Sequence, residues 1–366
     1  MNRQSNGHTA TELVCIRSSL NTMTIVSFVV PIRNEEDYIR ASLKSLVDQN
    51  YPVSSCEIIV VDGRSSDRTR EIIEEICERN PQVRCLDNPA GIVPTAMNIG
   101  IRAARGEVII RADGHNVYPR DYAANCVKYL EQTSADNVGG PCVTVPADES
   151  FSARLVAAIL SSPFGVGDSK FRTSREEGYV DTVPFGAFRR EIFDRIGMFN
   201  EKLVRNQDND LNARIRKAGG RIYLTPALTT HYHPVKSFLG LLKYAFKTSK
   251  WHIFTLRENR ESLGLRHLAP ALFLILLLLL LPASFASAIA RSLLIGMMCV
   301  YLLTGFYSSL RAKTGGNWVA TLVQPFASFC FHIAYGAGTL FGLIYLFRQP
   351  STVPIRPGLP IQEKVK

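Results

Sequence analysis

The chain has 366 residues, 46% of them hydrophobic, and a net charge of +10. That length suits about two domains, and no helix-turn-helix, zinc-finger or aromatic RNA-binding signature accompanies the charge, so nucleic acid is not an expected partner. No GxGxxG follows the first apolar run and no GxxxxGK followed by Ser or Thr occurs, which disfavours hydride transfer on a dinucleotide and P-loop phosphoryl transfer. The apolar excess collects after Leu268, so a polar amino-terminal domain joined to a membrane region is expected, with the positive charge facing anionic lipid headgroups. The eight cysteines form no CxxC pair and read as buried thiols of a reducing compartment.

Residues 1–22 are polar, lack an apolar core of signal-peptide length, and read as a disordered extension of a cytoplasmic domain. Thr24–Ile32 (TIVSFVVPI) is β-branched and apolar and predicts a buried parallel strand. Asn34 is placed to cap the next segment, Glu35, Glu36 and Asp37 favour a helix amino terminus, and Ile39, Leu43, Leu46 and Val47 follow at helical spacing. Glu57–Asp62 (EIIVVD) predicts a second strand, and Ser65, Ser66 and Asp67 can cap a helix running through Glu78. Val83–Leu86 is a third strand, 91–104 a loop and helix, and Val108–Ala112 a fourth strand ending on Asp113-Gly114-His115. Alternating strands and helices predict an α/β doubly wound sheet, whose ligands bind beyond the carboxyl ends of the strands. Pro31–Glu35, Asp62–Asp67 and Asp113–His115 all fall on that edge.

Further on, 118–132 predicts a helix, 137–145 a strand pair, and the Gly-, Ser- and Pro-rich 161–173 a mobile loop. Val183–Phe188 sets Gly186 among aromatics before a helix at 191–196, and 205–211 opens another helix that Gly219-Gly220 ends. Residues 235–266 interleave aromatics with Lys236, Lys243, Lys247, Lys250, Arg257 and Arg260, the pattern of an interfacial amphipathic segment or of an ordinary surface helix. Residues 267–348 hold the membrane region. Leu268–Ala290 and Ser292–Leu310 predict two spans, and Arg311 and Lys313 make the following loop basic and hence cytoplasmic. Val319–Phe347, interrupted by Gln324, Pro325 and His332, reads as a third span, a re-entrant segment or two half-spans. The basic tail, 349–366, disfavours a third full crossing.

Asp113 and His115 lie two apart, so an extended chain aims both to one side, and Gly114 lets a phosphate approach the backbone. A carboxylate with an imidazole suits Mn²⁺ better than Mg²⁺, although such a triplet alone is more often a turn. A metal there would neutralise the pyrophosphate of a bound nucleotide. Asp62 is placed either to bond a ribose or base or simply to cap a helix. If the nucleotide carries a sugar, its transfer needs a base to deprotonate the acceptor hydroxyl. Asp208 is the first choice and Asp210 the second, both at a helix start whose dipole favours a carboxylate. One base opposite the leaving group gives inversion at the anomeric carbon.

These motifs together resemble the family 2 glycosyltransferases, whose fold is called GT-A. VVPIRNEEDYI is similar to the family's opening through Pro31, Asn34 and Glu35; EIIVVDGRSSDRT to its second strand through Asp62 and Asp67. Gly106-Glu107…Asp113-Gly114-His115 is similar to the "GE…DxD" element with His in place of the second acid, and Gln207-Asp208 to the "ED" element with Gln in place of Glu. The resemblance covers 23–234 and implies a nucleotide-sugar site of Pro31, Arg33, Asn34, Glu35, Asp62, Asp67, Asp113 and Gly114. It implies an acceptor side with Gly186, Gln207, Asp210 and Arg214, Asp208 as base, and Mn²⁺ or Mg²⁺ on Asp113 and His115. With its apolar end the chain is similar to bacterial exopolysaccharide transferases of the succinoglycan glucosyltransferase type. That implies a multi-pass inner-membrane enzyme taking sugar from UDP-hexose to a polyprenyl-linked saccharide. No QxxRW element occurs, which favours single-sugar addition. Rival readings are a transferase loading sugar onto polyprenyl phosphate and an inactive sugar-nucleotide binding protein.

Overall fold

The first four apolar runs become the parallel half of an eight-stranded sheet: β1 (Val26–Ile32), β2 (Cys56–Asp62), β3 (Val83–Asp87) and β4 (Val108–Arg111). The computed structural model describes residues 23–232, 234–311 and 318–348. The expected amino-terminal extension, the basic loop at Lys313 and the basic tail lie outside the described residues. Helices α1 (Ile39–Val47), α2 (Thr69–Arg79) and α3 (Val93–Ala103) cross between these strands. The chain continues through α4 (Tyr122–Thr133), β5 (Asn137–Gly139), β6 (Cys142–Thr144), α5 (Phe151–Leu160), α6 (Pro163–Val166), α7 (Lys170–Thr173) and β7 (Gly178–Tyr179). Then follow β8 (Ala187–Arg189), α8 (Glu191–Ile196), α9 (Gln207–Lys217), β9 (Ile222–Leu224) and β10 (Thr230–Tyr232). The sheet order is β3-β2-β1-β4-β8-β5-β9-β7, with β6 and β10 paired separately. β8 and β7 run antiparallel to their neighbours, and the other pairings are parallel.

Alternation along β1 and β2 divides the core. Phe28, Val30, Ile58, Val60 and Ile110 face α1 and α4, whereas Val29, Ile59, Val61 and Ile109 face α3 and α9. Each such fully buried aliphatic or aromatic side chain stabilises the fold by about 1.5–3 kcal/mol relative to exposure. α3 lies close on β1 because Gly100 carries no Cβ; one there would strike the Val29 methyls. At the opposite end of the strands from the site, buried Glu57 accepts from Ser27 Oγ at 2.6 Å, Arg105 N at 2.5 Å and Arg84 at 3.2 Å. Burial alone would raise this carboxyl's pKa, but those donors and the two arginines hold it below the usual glutamate range.

Several local expectations are corrected. Asn34 does not cap α1; it adopts φ +56° and turns its side chain to the 62–69 loop. β5 and β6 are not a pair, because β6 leaves the main sheet to join β10. The stretch 161–173 is not a free loop but holds α6 and α7, fixed where Phe164 meets the rings of Tyr301 and His332. The preceding α5, capped by Ser150, was not anticipated.

The basic amphipathic stretch is one helix, α10 (Phe238–Glu258). Three apolar helices follow, α11 (Leu265–Ala286), α12 (Ala288–Arg311) and α13 (Trp318–Arg348), each long and apolar enough to cross a membrane. The first break falls at Ser287, extended at φ −133°, rather than beyond Ala290. α13 is continuous through Pro325, so the half-span reading does not hold.

Candidate active site

Two strand-end loops form the floor of the site. After β1, Asn34 N donates to Ser65 Oγ at 2.9 Å and Asn34 Oδ1 accepts from Ser66 N at 2.8 Å. Glu35 N donates to Thr69 Oγ1 at 2.7 Å. Asp67 accepts from Thr69 N at 3.1 Å and from Glu36 N at 3.4 Å, so its carboxylate joins the two loops. Asp62, 4% exposed, is oriented by Ser65, whose hydroxyl donates to it at 2.6 Å. Gly63 and Gly91 bring two backbone segments together beside Arg33: at φ +67°, Gly91 leaves no room for a Cβ against that guanidinium. Arg33 Nε is buried without a partner among the described residues. Pro31 sits one residue inside β1 and pairs in register with Val61.

β4 delivers the centre. Asp113 N donates to Tyr118 Oη at 2.7 Å and its carbonyl accepts from Ser42 Oγ at 3.2 Å, so the backbone at the acid is held from two sides. Gly114 is packed on Ile32, with no space for a side chain. His115 Nδ1 faces Glu35 Oε1 at 3.2 Å. Burial would lower the imidazole's pKa, but Glu35 and Asp113 overcome it and hold the ring above its usual value.

Arg111, the last residue of β4 and 7% exposed, bridges the two halves of the site. Its Nε donates to Asp113 Oδ1 at 3.2 Å and its terminal nitrogen donates to Asp208 Oδ1. Its guanidinium also lies 5.7 Å from the centre of the Phe185 ring. Burial disfavours its charge, yet the two carboxylates keep its pKa above the ordinary arginine value. Sequence reasoning passed over Arg111. Its signal was a lone cation in an apolar strand, two residues before Asp113 and hence on the same side of the chain.

The acceptor-side candidates divide by what they touch. Asp208 stands in the first turn of α9 behind Asn206, which adopts φ +62°. Asp210, 2% exposed, is taken up by Arg214 at 3.0 Å and by Asn259 Nδ2 at 3.1 Å. Arg214 in turn donates to the carbonyls of Ile196, Gly197 and Met198. Those two hold the 196–198 loop and the end of α10, whereas Asp208 is joined to the centre. Gln207 is 7% exposed and its Oε1 has no partner among the described residues. Gly186 places β8 against β4 through its carbonyl, which accepts from Arg111 N at 3.0 Å, and it packs on Asn137.

Two more cations were not foreseen. Arg172 lies 5.1 Å from the Tyr232 ring centre and Arg205 lies 5.4 Å from that of Tyr244, and neither pairs with a carboxylate among the described residues. Arg205 precedes Asp208 by three positions.

As metal ligands the described residues offer two donors, the second oxygen of Asp113 and Nε2 of His115, and no cluster of three. That set fits a cation completed by substrate phosphates, the usual manner of Mg²⁺ and its analogues at nucleotide sites.

An open α/β sheet with acids, a histidine and the Arg33 and Arg111 guanidinium groups gathered at its strand ends, joined to apolar helices, is the arrangement of a glycosyltransferase with a GT-A-like core. Residues 27–197 match Glycosyl transferase family 2. The succinoglycan biosynthesis protein ExoA of Rhizobium meliloti (strain 1021) is 31% identical over 253 residues, 68% of this chain and 75% of the relative. A dolichyl N-acetyl-α-D-glucosaminyl phosphate 3-β-D-2,3-diacetamido-2,3-dideoxy-β-D-glucuronosyltransferase of Methanococcus voltae is 24% identical, covering 88% of this chain and 98% of its own. Among solved structures, the mannosyltransferase PcManGT from Pyrobaculum calidifontis, in complex with GDP-Man and Mn²⁺, matches the fold with a TM-score of 0.54. It is 20% identical and 87% of each chain is covered. The chain belongs to glycosyltransferase family 2.

Proposed function

We propose that this enzyme transfers one sugar from a nucleotide sugar, UDP-hexose in the first instance, to a lipid-linked saccharide at the bacterial inner membrane, with inversion. The observation that carries the reading is Arg111, which ties Asp113 on the donor side to Asp208 on the acceptor side. The nucleotide lies over Pro31, Arg33, Asn34, Glu35 and Asp62, with Asp67 holding the two loops beneath it. Arg33 Nε supplies a donor still lacking an acceptor. Asp113 and His115 are the residues that would hold a divalent metal, Mn²⁺ or Mg²⁺, and such an ion would neutralise the diphosphate as leaving group. Asp208 takes the proton of the acceptor hydroxyl as that oxygen displaces the nucleoside diphosphate from the anomeric carbon. Gln207 Oε1, buried and without a partner among the described residues, would accept from a sugar hydroxyl. The catalytic domain is cytoplasmic, and the apolar helices bring it to its lipid acceptor. The role of ExoA in succinoglycan biosynthesis supports an exopolysaccharide product.

A second reading draws on Arg172 and Arg205. Two cations without carboxylate partners among the described residues, one of them three residues from Asp208, suit an acceptor that is itself an anion, such as polyprenyl phosphate. Nucleoside diphosphate release by membranes containing the enzyme, with a panel of UDP- and GDP-sugars, Mn²⁺ or Mg²⁺ and a lipid extract, tests both. Release with one donor, dependent on lipid, supports transfer. If polyprenyl phosphate alone sustains it, the second reading replaces the first. Nucleotide binding with no release from any donor leaves an inactive binding protein.

A further inference from the structure

We infer that α13, although long and apolar enough to cross a membrane, lies along its surface, and that the chain crosses only through the α11–α12 hairpin. This inference is independent of the catalytic reading. α11 and α12 are an antiparallel pair turning at Ser287, with Phe273 stacked on Tyr301 at 4.8 Å between ring centres. α11 has 22 residues and α12 has 24, about 33 and 36 Å at the helical rise, enough for a hydrocarbon core of about 30 Å.

α13 does not follow that pair towards its tip. Its first half packs on the end of the hairpin nearest the catalytic domain: Ser309 Oγ donates to the Thr321 carbonyl at 2.5 Å, and Gly305 packs on Pro325. Gly336 then meets Pro270 and Leu274, near the start of α11. From there α13 leaves the hairpin and runs parallel to α10. Gly338 packs on Phe246 and Gly342 on Lys250; Phe254 meets Tyr345 at 5.9 Å. Beyond Leu274 and before Val300 the hairpin presents exposed apolar side chains, among them Leu279, Phe285, Ile289 and Leu293.

α10 cannot be in the hydrocarbon. It carries Lys243, Lys247 and Lys250, and such charges are strongly unfavourable at the bilayer centre. Its second half also accepts hydrogen bonds from the catalytic domain, at Thr248 from Arg205, at Thr255 from Asn206 and at Glu258 from Asn200. The second half of α13 rides on this helix, with the Lys250 ammonium 4.6 Å from the Tyr345 ring centre. Its first half is joined to α5 and α6: Gln324 Nε2 reaches the Ala158 carbonyl at 3.5 Å and His332 Nε2 lies 3.3 Å from that of Gly165. Exposed Leu322, Phe326, Ile344 and Phe347 are left for the acyl chains. This is the arrangement of an interfacial helix whose apolar face reaches about 5–10 Å into the boundary between headgroups and acyl chains. Arg348 then stays on the side of the catalytic domain, where positive charge is favoured.

The test appends green fluorescent protein or alkaline phosphatase to Lys366 of the full chain, with the same reporters inserted at Ser287 and beside Tyr179. Fluorescence without phosphatase activity at Lys366, matching Tyr179 and opposite to Ser287, is expected. Phosphatase activity at Lys366 would overturn the inference and make α13 a third span. Should the fusions express poorly, Phe347→Cys is labelled with an impermeant maleimide and read above the parent chain's background. Labelling from the face that labels Tyr179→Cys supports the inference, and labelling from the face that labels Ser287→Cys overturns it.

Discussion

Replacing Arg111 by Met removes the cation that joins Asp113 and Asp208 and leaves both carboxylates without it. Breaking a buried ion pair from one side costs about 3–5 kcal/mol, because the remaining charge stays desolvated. The Asp208 side chain is 32% exposed and that of Asp113 15%, so water relieves part of this and the lower end, about 3 kcal/mol, is expected. For a domain of this size that corresponds to a Tm lowered by about 6–12 °C. The same substitution frees an oxygen of Asp113 for a metal. Mn²⁺ should therefore raise the Tm of Arg111→Met by more than that of the parent enzyme. Thermal unfolding of the purified enzyme in detergent, with and without Mn²⁺, measures both. A Tm within about 1 °C of the parent, with no added response to Mn²⁺, would refute the account of Arg111 as the link between the two acids.

Glu57→Gln should cost about 2 kcal/mol at neutral pH by weakening bonds from Ser27 and Arg105 to a charged acceptor. The Glu57 pKa is lowered in the folded state, so its stabilisation is complete above the usual glutamate range and is lost as pH falls through the folded value. The gap between parent and variant in urea unfolding should then close in acid; a gap that widens in acid contradicts the assignment. His115→Ala should move the Mn²⁺ midpoint for nucleoside diphosphate release upward about 10-fold, equivalent to about 1.4 kcal/mol, and an unchanged midpoint would remove His115 from the metal site. Asp210→Asn should lower the Tm by loosening Arg214 and Asn259, without the turnover loss of Asp208→Asn. Equal loss of turnover at equal stability would make Asp210 the base instead.

The parallel half of the sheet was legible because residues 28–32, 58–61 and 108–110 are continuous apolar runs that only a doubly covered sheet can bury. The strand-end clusters were legible for the same reason, since strand ends fix where loops gather. The second half was harder to read. β5, β6, β8 and β9 are three residues each, too short for a periodic signal, and their order depends on contacts distant in sequence. Asn34 misled because Asn both caps helices and tolerates a left-handed turn, and the partner that decided between them, Ser66, lies 32 residues away. Arg111 was hidden because its two carboxylates come from a neighbouring turn and from α9, 97 positions on. α6 and α7 looked like loop because Pro163, Gly165 and Gly167 break any period; rings from α12 and α13 pack on α6, and Arg172 of α7 meets Thr144 and Tyr232.

Labelled sugar followed from the nucleotide donor into the organic-soluble lipid fraction shows whether Asp208 drives transfer to a lipid. The parent enzyme and Asp208→Asn are compared at matched nucleotide binding. The parent should transfer label to lipid, and the variant should lose about 100-fold or more of that rate, the usual contribution of a general base. Transfer by Asp208→Asn at the parent's rate would place the base elsewhere.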